Sequence, residues 1–287
     1  MKQLTVISGK GGTGKTSITA AFASLSKNTV FADCDVDAAD LHLILKPKIK
    51  KTMIFKGLKC ASIDHLKCTR CGKCFDSCVF NAIIKEEQIK INRSSCEGCG
   101  VCKIVCNYDA VEMVERESGY AYISSTRFGP MSHAKLKTME EASGKLVSLV
   151  RENAMNIADE EDRQLILIDG PPGIGCPVIS SITGVDLVLI VTEPTLSAIS
   201  DLKRIYNVAC HFKIPSLVCI NKYDINIQNS NKIEEYCIKK DIPVVGRINY
   251  DTIMTKAMIK EKTIIEYSNN KLSDEIKEMW SEILEGI

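Results

Sequence analysis

Eight of the chain's fourteen cysteines lie between residues 68 and 106, in two matching runs: Cys68, Cys71, Cys74, Cys78 and Cys96, Cys99, Cys102, Cys106. In each run three thiols recur every third residue, and a fourth follows after three intervening positions. Three thiolates at that step wrap one face of an iron–sulfur cube, and the fourth is too far along the chain to close the same ring comfortably. Zinc sites use cysteine pairs or Cys/His mixtures, so two equal quartets point to two [4Fe–4S] clusters. A second chemistry-bearing stretch is Gly9-Lys10-Gly11-Gly12-Thr13-Gly14-Lys15-Thr16, followed by Ser17. Its pattern is Gly, four residues, Gly-Lys-Thr. Such glycines let successive backbone N–H groups converge, and a helix beginning there adds its partial positive charge, which makes an anion cradle. Lys15 would reach the β- and γ-phosphates of a nucleotide and the Thr16 hydroxyl would hold Mg²⁺.

These groups need a scaffold, and the rest of the chain supplies one. Residues 4–8 read as a strand, 9–14 as a breaker-rich loop, 16–27 as a helix and 29–33 as a second strand. The alternation lapses from about 46 to 120, around the cysteine block. From Ser143 it returns, with a helix over 144–158, strands at 164–169, 186–192 and 216–221, a helix over 197–212 and a last helix at 273–283. Alternating short apolar runs and longer periodic segments predict a doubly wound, mostly parallel sheet covered by helices. The expected division is 1–57 and 119–287 for the α/β part and 58–118 for a small insert.

Composition agrees with a globular protein. The 287 residues are 45% hydrophobic and 25% charged, and 37 basic against 36 acidic side chains leave a net charge of +1. That excludes a disordered tail and gives no reason to expect nucleic acid. No apolar run approaches the roughly 18 residues of a membrane span. Met1-Lys2-Gln3 leads straight into a strand-like run and not into an export signal, so a cytoplasmic location is expected. Disulfides would need an oxidising compartment that nothing else suggests.

The cysteine block resembles that of bacterial two-cluster ferredoxins, in which the fourth cysteine of each run crosses to the other cluster. The resemblance implies Cys68, Cys71, Cys74 and Cys106 on one cluster, and Cys96, Cys99, Cys102 and Cys78 on the other. Val79 and Asn107 stand where ferredoxins usually carry proline. Cys60 fits neither quartet and reads as a buried apolar residue, as do Cys34, Cys210, Cys219 and Cys237.

Lys10, directly after the first glycine, resembles the deviant Walker A motif of the MinD/ParA family of ATPases, which includes the nitrogenase iron protein and Mrp-type carriers. In that family this lysine crosses a dimer interface to the partner's nucleotide. The resemblance implies that Asp35, in Asp33-Cys34-Asp35-Val36-Asp37, orients the attacking water, with Asp33 and Asp37 as alternatives. Leu165-Ile166-Leu167-Ile168-Asp169 looks like a Walker B strand whose Asp169 holds Mg²⁺, and Gly170-Pro171-Pro172-Gly173 like a γ-phosphate switch. Asn221-Lys222-Tyr223-Asp224 matches by letters a guanine-binding element, but members of this family use the Asn with adenine. ATP is therefore favoured, with Asn221 at the base and Asp224 open between base contact and helix cap.

Cys176, in Gly175-Cys176-Pro177, resembles in spacing a cysteine that bridges subunits in the nitrogenase iron protein, without that protein's second ligand. A structural turn is the other reading. The runs 128–136 and 143–147 look like the connection of a ferredoxin-bearing subfamily back to its ATPase core, and His133 there has no visible metal partner.

The whole chain thus resembles a P-loop NTPase with an inserted small α+β ferredoxin domain. Two functions are implied: ATP-gated electron transfer, or ATP-timed carriage of a cluster or metallocofactor. Both imply an ATP-dependent homodimer, or a heterodimer with a related ATPase, and a redox partner or apo-metalloprotein. Membrane or nucleoid positioning is disfavoured, because 271–287 sets Lys271 and Lys277 against Asp274, Glu275, Glu278, Glu282 and Glu285.

Overall fold

In the computed structural model, which describes residues 1–138, 140 and 144–287, the chain opens with strand β1 (Lys2–Ser8), helix α1 (Lys15–Leu25), strand β2 (Thr29–Asp33) and the short helix α2 (Leu41–Leu45). A long strand β3 (Lys48–Ile63) leads to the cysteine-bearing stretch. That stretch holds two one-turn helices, α3 (Lys73–Asp76) and α4 (Val101–Ile104), around the hairpin β4 (Ile83–Lys85) and β5 (Ile89–Ile91). Strands β6 (Val111–Ser125) and β7 (Pro130–Leu136) follow, then α5 (Gly144–Glu160), β8 (Leu165–Pro172), α6 (Cys176–Ile182), β9 (Leu187–Thr192) and α7 (Leu196–His211). The chain closes with β10 (Ser216–Asn221), α8 (Ile227–Lys239), β11 (Val244–Ile248), α9 (Thr252–Ile259), α10 (Ile264–Tyr267) and α11 (Lys271–Glu285). Ser143, where the α/β alternation was expected to resume, lies outside the described residues.

The main sheet has the order β11-β10-β9-β1-β8-β2-β7-β6-β3, and the pairings β11·β10, β10·β9, β9·β1, β1·β8, β8·β2 and β2·β7 are all parallel. This is the α/β P-loop NTPase fold with a mostly parallel sheet. Its strands are buried on both faces, which explains why 165–168 and 187–191 are continuous apolar runs without alternation. Phe22 of α1 and Trp280 of α11 meet at 4.8 Å between ring centroids in the core under one face. Strands β8 and β9 flank β1, so the loop after β1 opens where the winding reverses, the usual ligand position in such sheets.

Strands β3, β6 and β7 did not stand out in the sequence. Much of β3 is exposed and carries lysines at 48, 50, 51, 56 and 59, which hide its periodicity; it ends the sheet, where charged side chains discourage further pairing.

Two compact units result. One comprises Met1–Met53, Ala121–Lys135 and Ala142–Ile287; the other comprises Ile54–Tyr120 and Leu136–Glu141.

Candidate functional site

The turn after β1 closes because Gly14, the residue before α1, has a φ of 91°, a left-handed conformation that glycine adopts without steric cost. A Cβ there would also stand 2.2 Å from Asn221 Nδ2. That approach has a purpose: Asn221, at the end of β10, donates from Nδ2 to the Thr13 carbonyl at 2.7 Å and pins the loop from below. Residues 11–17, Asp35 and Asn221 line a cavity of about 420 Å³, within the range of small-ligand sites. Gly9 and Lys10 do not line it. Gly9 lies against α7, where any Cβ would meet Asp201 Cβ at 2.2 Å.

Beneath the loop lies a charged cluster set by sheet register. Asp33 and Asp169 are Cα partners on β2 and β8. Lys15 Nζ donates to Asp169 Oδ1 at 2.8 Å and stands 3.5 Å from Asp35 Oδ2. Thr19 Oγ1 also donates to Asp169 Oδ1, at 3.1 Å. Burial works against the charge on Lys15, yet Asp169, then Asp35 and Asp33, outweigh it and raise its pKa. Burial first and the Asp169 charge second push Asp33 well above the usual carboxylate range; burial also raises Asp35, with Lys15 opposing. One ammonium therefore faces three carboxylates. Asp169 Oδ2, Asp33 Oδ2 and Thr13 Oγ1 are buried and have no hydrogen-bond partner among the described residues. All three are oxygens, the donor type that a hard divalent cation takes.

Lys10 folds back on its own chain. Its ammonium meets Glu193 Oε1 at 2.7 Å and donates to Thr195 Oγ1 at 3.1 Å and Ser197 Oγ at 3.3 Å. Glu193 Oε2 takes Lys222 Nζ at 2.9 Å, and Lys222 also donates to the Gly12 carbonyl at 2.8 Å. Sequence reading missed Glu193 and Lys222; the available signal was two loop lysines in need of an anion. It also missed Tyr250, Met254 and Met258, which wall the cavity from the segment after β11. Asp224 Oδ1 accepts the Tyr250 N–H at 2.6 Å.

In the smaller unit the thiols face two cavities. The first is lined by Cys68, Cys71, Cys74 and Cys106, the second by Cys78, Cys96, Cys99 and Cys102. The two loops repeat one geometry: Gly72 and Gly100, at φ 86° and 79°, start the one-turn helices that turn Cys74 and Cys102 inward. Arg116 anchors the second loop by donating to the carbonyls of Arg93 at 2.7 Å and Cys96 at 3.2 Å, while pairing with Glu140 at 2.9 Å. Among the described residues no three His, Cys, Asp or Glu side chains are grouped as for a metal ion.

Cys60 is buried beside Cys96; burial and that neighbour push its thiol up to about 11. Cys34, Cys219 and Cys237 are buried, but the expectation for Cys210 is corrected. The inward face of α7 carries Leu202, Ile205 and Ala209, and Cys210, one residue on, is rotated into solvent. Cys176 is exposed at the first turn of α6. His133 is buried, bonds Ser124 Oγ at 2.9 Å and is pushed down to about 4 by burial and then His42.

A parallel α/β sheet with a Gly-x4-Gly-Lys-Thr loop at the carboxyl end of its central strand defines a P-loop nucleotide-binding protein. The family model of the CobQ/CobB/MinD/ParA nucleotide binding domain matches residues 4–264, and the chain belongs to that family. It is an ATPase of that family. An uncharacterized protein of Methanocaldococcus jannaschii is 39% identical over 290 residues, covering 99% of this chain and 97% of that protein. A second uncharacterized protein of the same organism is 25% identical, covering 100% and 99%. Among solved structures, the septum site-determining protein MinD complexed with Mg-ADP, from Pyrococcus horikoshii, superimposes with a TM-score of 0.58 at 16% identity, covering 98% of this chain and 95% of that one. No described helix is long and apolar enough to cross a membrane.

Proposed function

We propose that this ATPase couples its nucleotide state to electron transfer through two [4Fe–4S] clusters. The observation that carries the reading is the sorting of eight cysteines into two cavities, each holding three thiols of one run and the fourth of the other. A cube carries its ligands at its corners, more widely spaced than donors around a single ion, so a four-thiol cavity is the feature to look for. Apolar walls suit oxygen-sensitive clusters: Ile63, Ile89 and Val111 in the first cavity, Ala61, Ile91 and Met113 in the second. When bound, the clusters supply one-electron chemistry.

On the nucleotide side, an arriving triphosphate competes with Asp169 for the Lys15 ammonium. Thr16 Oγ1 and the unpartnered Asp169 Oδ2 would hold Mg²⁺, directly or through water. Asp35 would orient the attacking water. Lys10, released from Glu193, would reach a partner's nucleotide, closing a homodimer or a heterodimer with a related ATPase. Two full-length relatives in one organism make the second arrangement a concrete one.

A second reading, ATP-timed delivery of a cluster to an apo-metalloprotein, draws on the exposure of Cys71 and Cys99 at the two cavities. Anaerobic purification with iron and sulfide analysis tests the main reading. About eight irons per chain are expected, all retained through ATP turnover. An iron-free chain contradicts both readings, and stoichiometric loss of iron to an apo-protein during turnover selects the second.

A further inference from the structure

The two cysteine cavities differ at their mouths. Arg70 and Lys73 line the first, around the exposed thiol of Cys71, and Tyr108 beside them is half exposed. Lys85 joins them, its ammonium 2.8 Å from where a Cβ on Gly72 would stand. All three cations are exposed, and none has a carboxylate partner among the described residues, whereas nearby Lys67 and Lys90 pair with Asp64 and Glu86. Among the described residues no cation lines the second cavity. Its mouth carries Glu97 with Phe80 and Val101. Three cations thus surround one exposed thiol, and among the described residues none that lines this cavity is acidic, so its mouth is positively charged. Such a field raises the encounter rate with an acidic surface and orients it.

We propose that the mouth of the first cysteine cavity is the docking site of a small acidic one-electron carrier protein, held by Arg70, Lys73 and Lys85 with Tyr108 as the apolar contact. The proposal rests on the cluster reading above. It makes the cluster of Cys68, Cys71, Cys74 and Cys106 the port through which electrons pass. Those four thiols would hold the cluster, which would exchange one electron with the carrier's redox centre, one partner being oxidised as the other is reduced, with no bond formed or broken. The second mouth, lined by Glu97, Phe80 and Val101, lacks this cluster of cations.

An acidic flavodoxin serves as the probe, against the anaerobically purified holoprotein. Its dissociation constant is measured by calorimetry and its second-order electron-transfer rate by stopped flow, at low and high salt. The triple variant R70E/K73E/K85E should weaken binding and slow the rate about tenfold or more at low salt. Wild type should lose the same advantage as salt rises, and Lys239→Glu, on α8, should behave as wild type. Iron content is determined for each protein, which separates the two readings: an iron-free wild type overturns the cluster assignment itself. If the triple variant loses iron, Lys85→Glu decides, because Lys85 does not line the cavity. Weakened flavodoxin binding by that single variant supports the proposal, and unchanged binding overturns it. Full iron with unaltered binding and rate in the triple variant overturns it, as does an equal loss in Lys239→Glu. So does loss of inorganic phosphate binding in the triple variant without any effect on flavodoxin.

Discussion

The phosphate-loop site and the cysteine unit handle buried polar groups in opposite ways. Around the loop the chain supplies its own counter-charges: Lys15 rests on Asp169 and Asp35, and Glu193 holds both Lys10 and Lys222. In the cysteine unit the eight thiols turn toward two cavities, and the local core consists of two small groups around Cys96 and Cys74. The first site pairs its ammonium groups internally and leaves only Thr13 Oγ1, Asp33 Oδ2 and Asp169 Oδ2 without a partner among the described residues. The second has only two small apolar groups of its own and, on the proposed reading, would depend on the clusters that fill its cavities.

Iron removal should separate the two most sharply. Anaerobic chelation is expected to abolish amide-exchange protection across 54–120 while leaving β1, β8 and α1 protected. Uniform protection before and after would erase the contrast. Next in size, Lys15→Ala should lower ATP hydrolysis by about 10²–10³-fold with iron content unchanged; iron loss alongside would show that the regions are not separable in this way.

A smaller effect concerns His133. Its folded pKa, about 4, lies below the ordinary histidine value, so its stabilising contribution is present above that value and lost as pH falls from about 6.5 toward 4. His133→Gln, able to keep a hydrogen bond to Ser124, should flatten that decline in chemical denaturation, with the His133 contribution at most about 3 kcal/mol. An unchanged pH profile would place the titration elsewhere. Smallest, Asn221→Ala removes the 2.7 Å bond to Thr13 and should cost about 1–2 kcal/mol, read as a lower denaturation midpoint.

The same contrast governs what was legible in the sequence. Gly9 through Ser17 are contiguous, so the loop's pattern was visible in the sequence, and Asp169 stood out because it follows an apolar run, although β8 continues to Pro172. Glu193, Lys222 and Tyr250 could not, since only the parallel register of β9, β10 and β11 brings their loops to the end of β1. The cysteine spacing carried its own geometry, but β3 and β6 are half-exposed strands whose polar residues conceal their period. Cys210 shows the resolution of helical patterns: one residue beyond Ala209 is enough to move a side chain from core to solvent.

On the proposed function, nucleotide state would reach the cysteine unit. Electron paramagnetic resonance during a redox titration, with and without Mg-ATP and on both wild type and Lys15→Ala, tests it most directly. Reduced [4Fe–4S] signals are expected whose shape or midpoint moves with Mg-ATP in wild type and stays put in the variant. Signals that are absent, or indifferent to nucleotide in the wild-type protein, would contradict it.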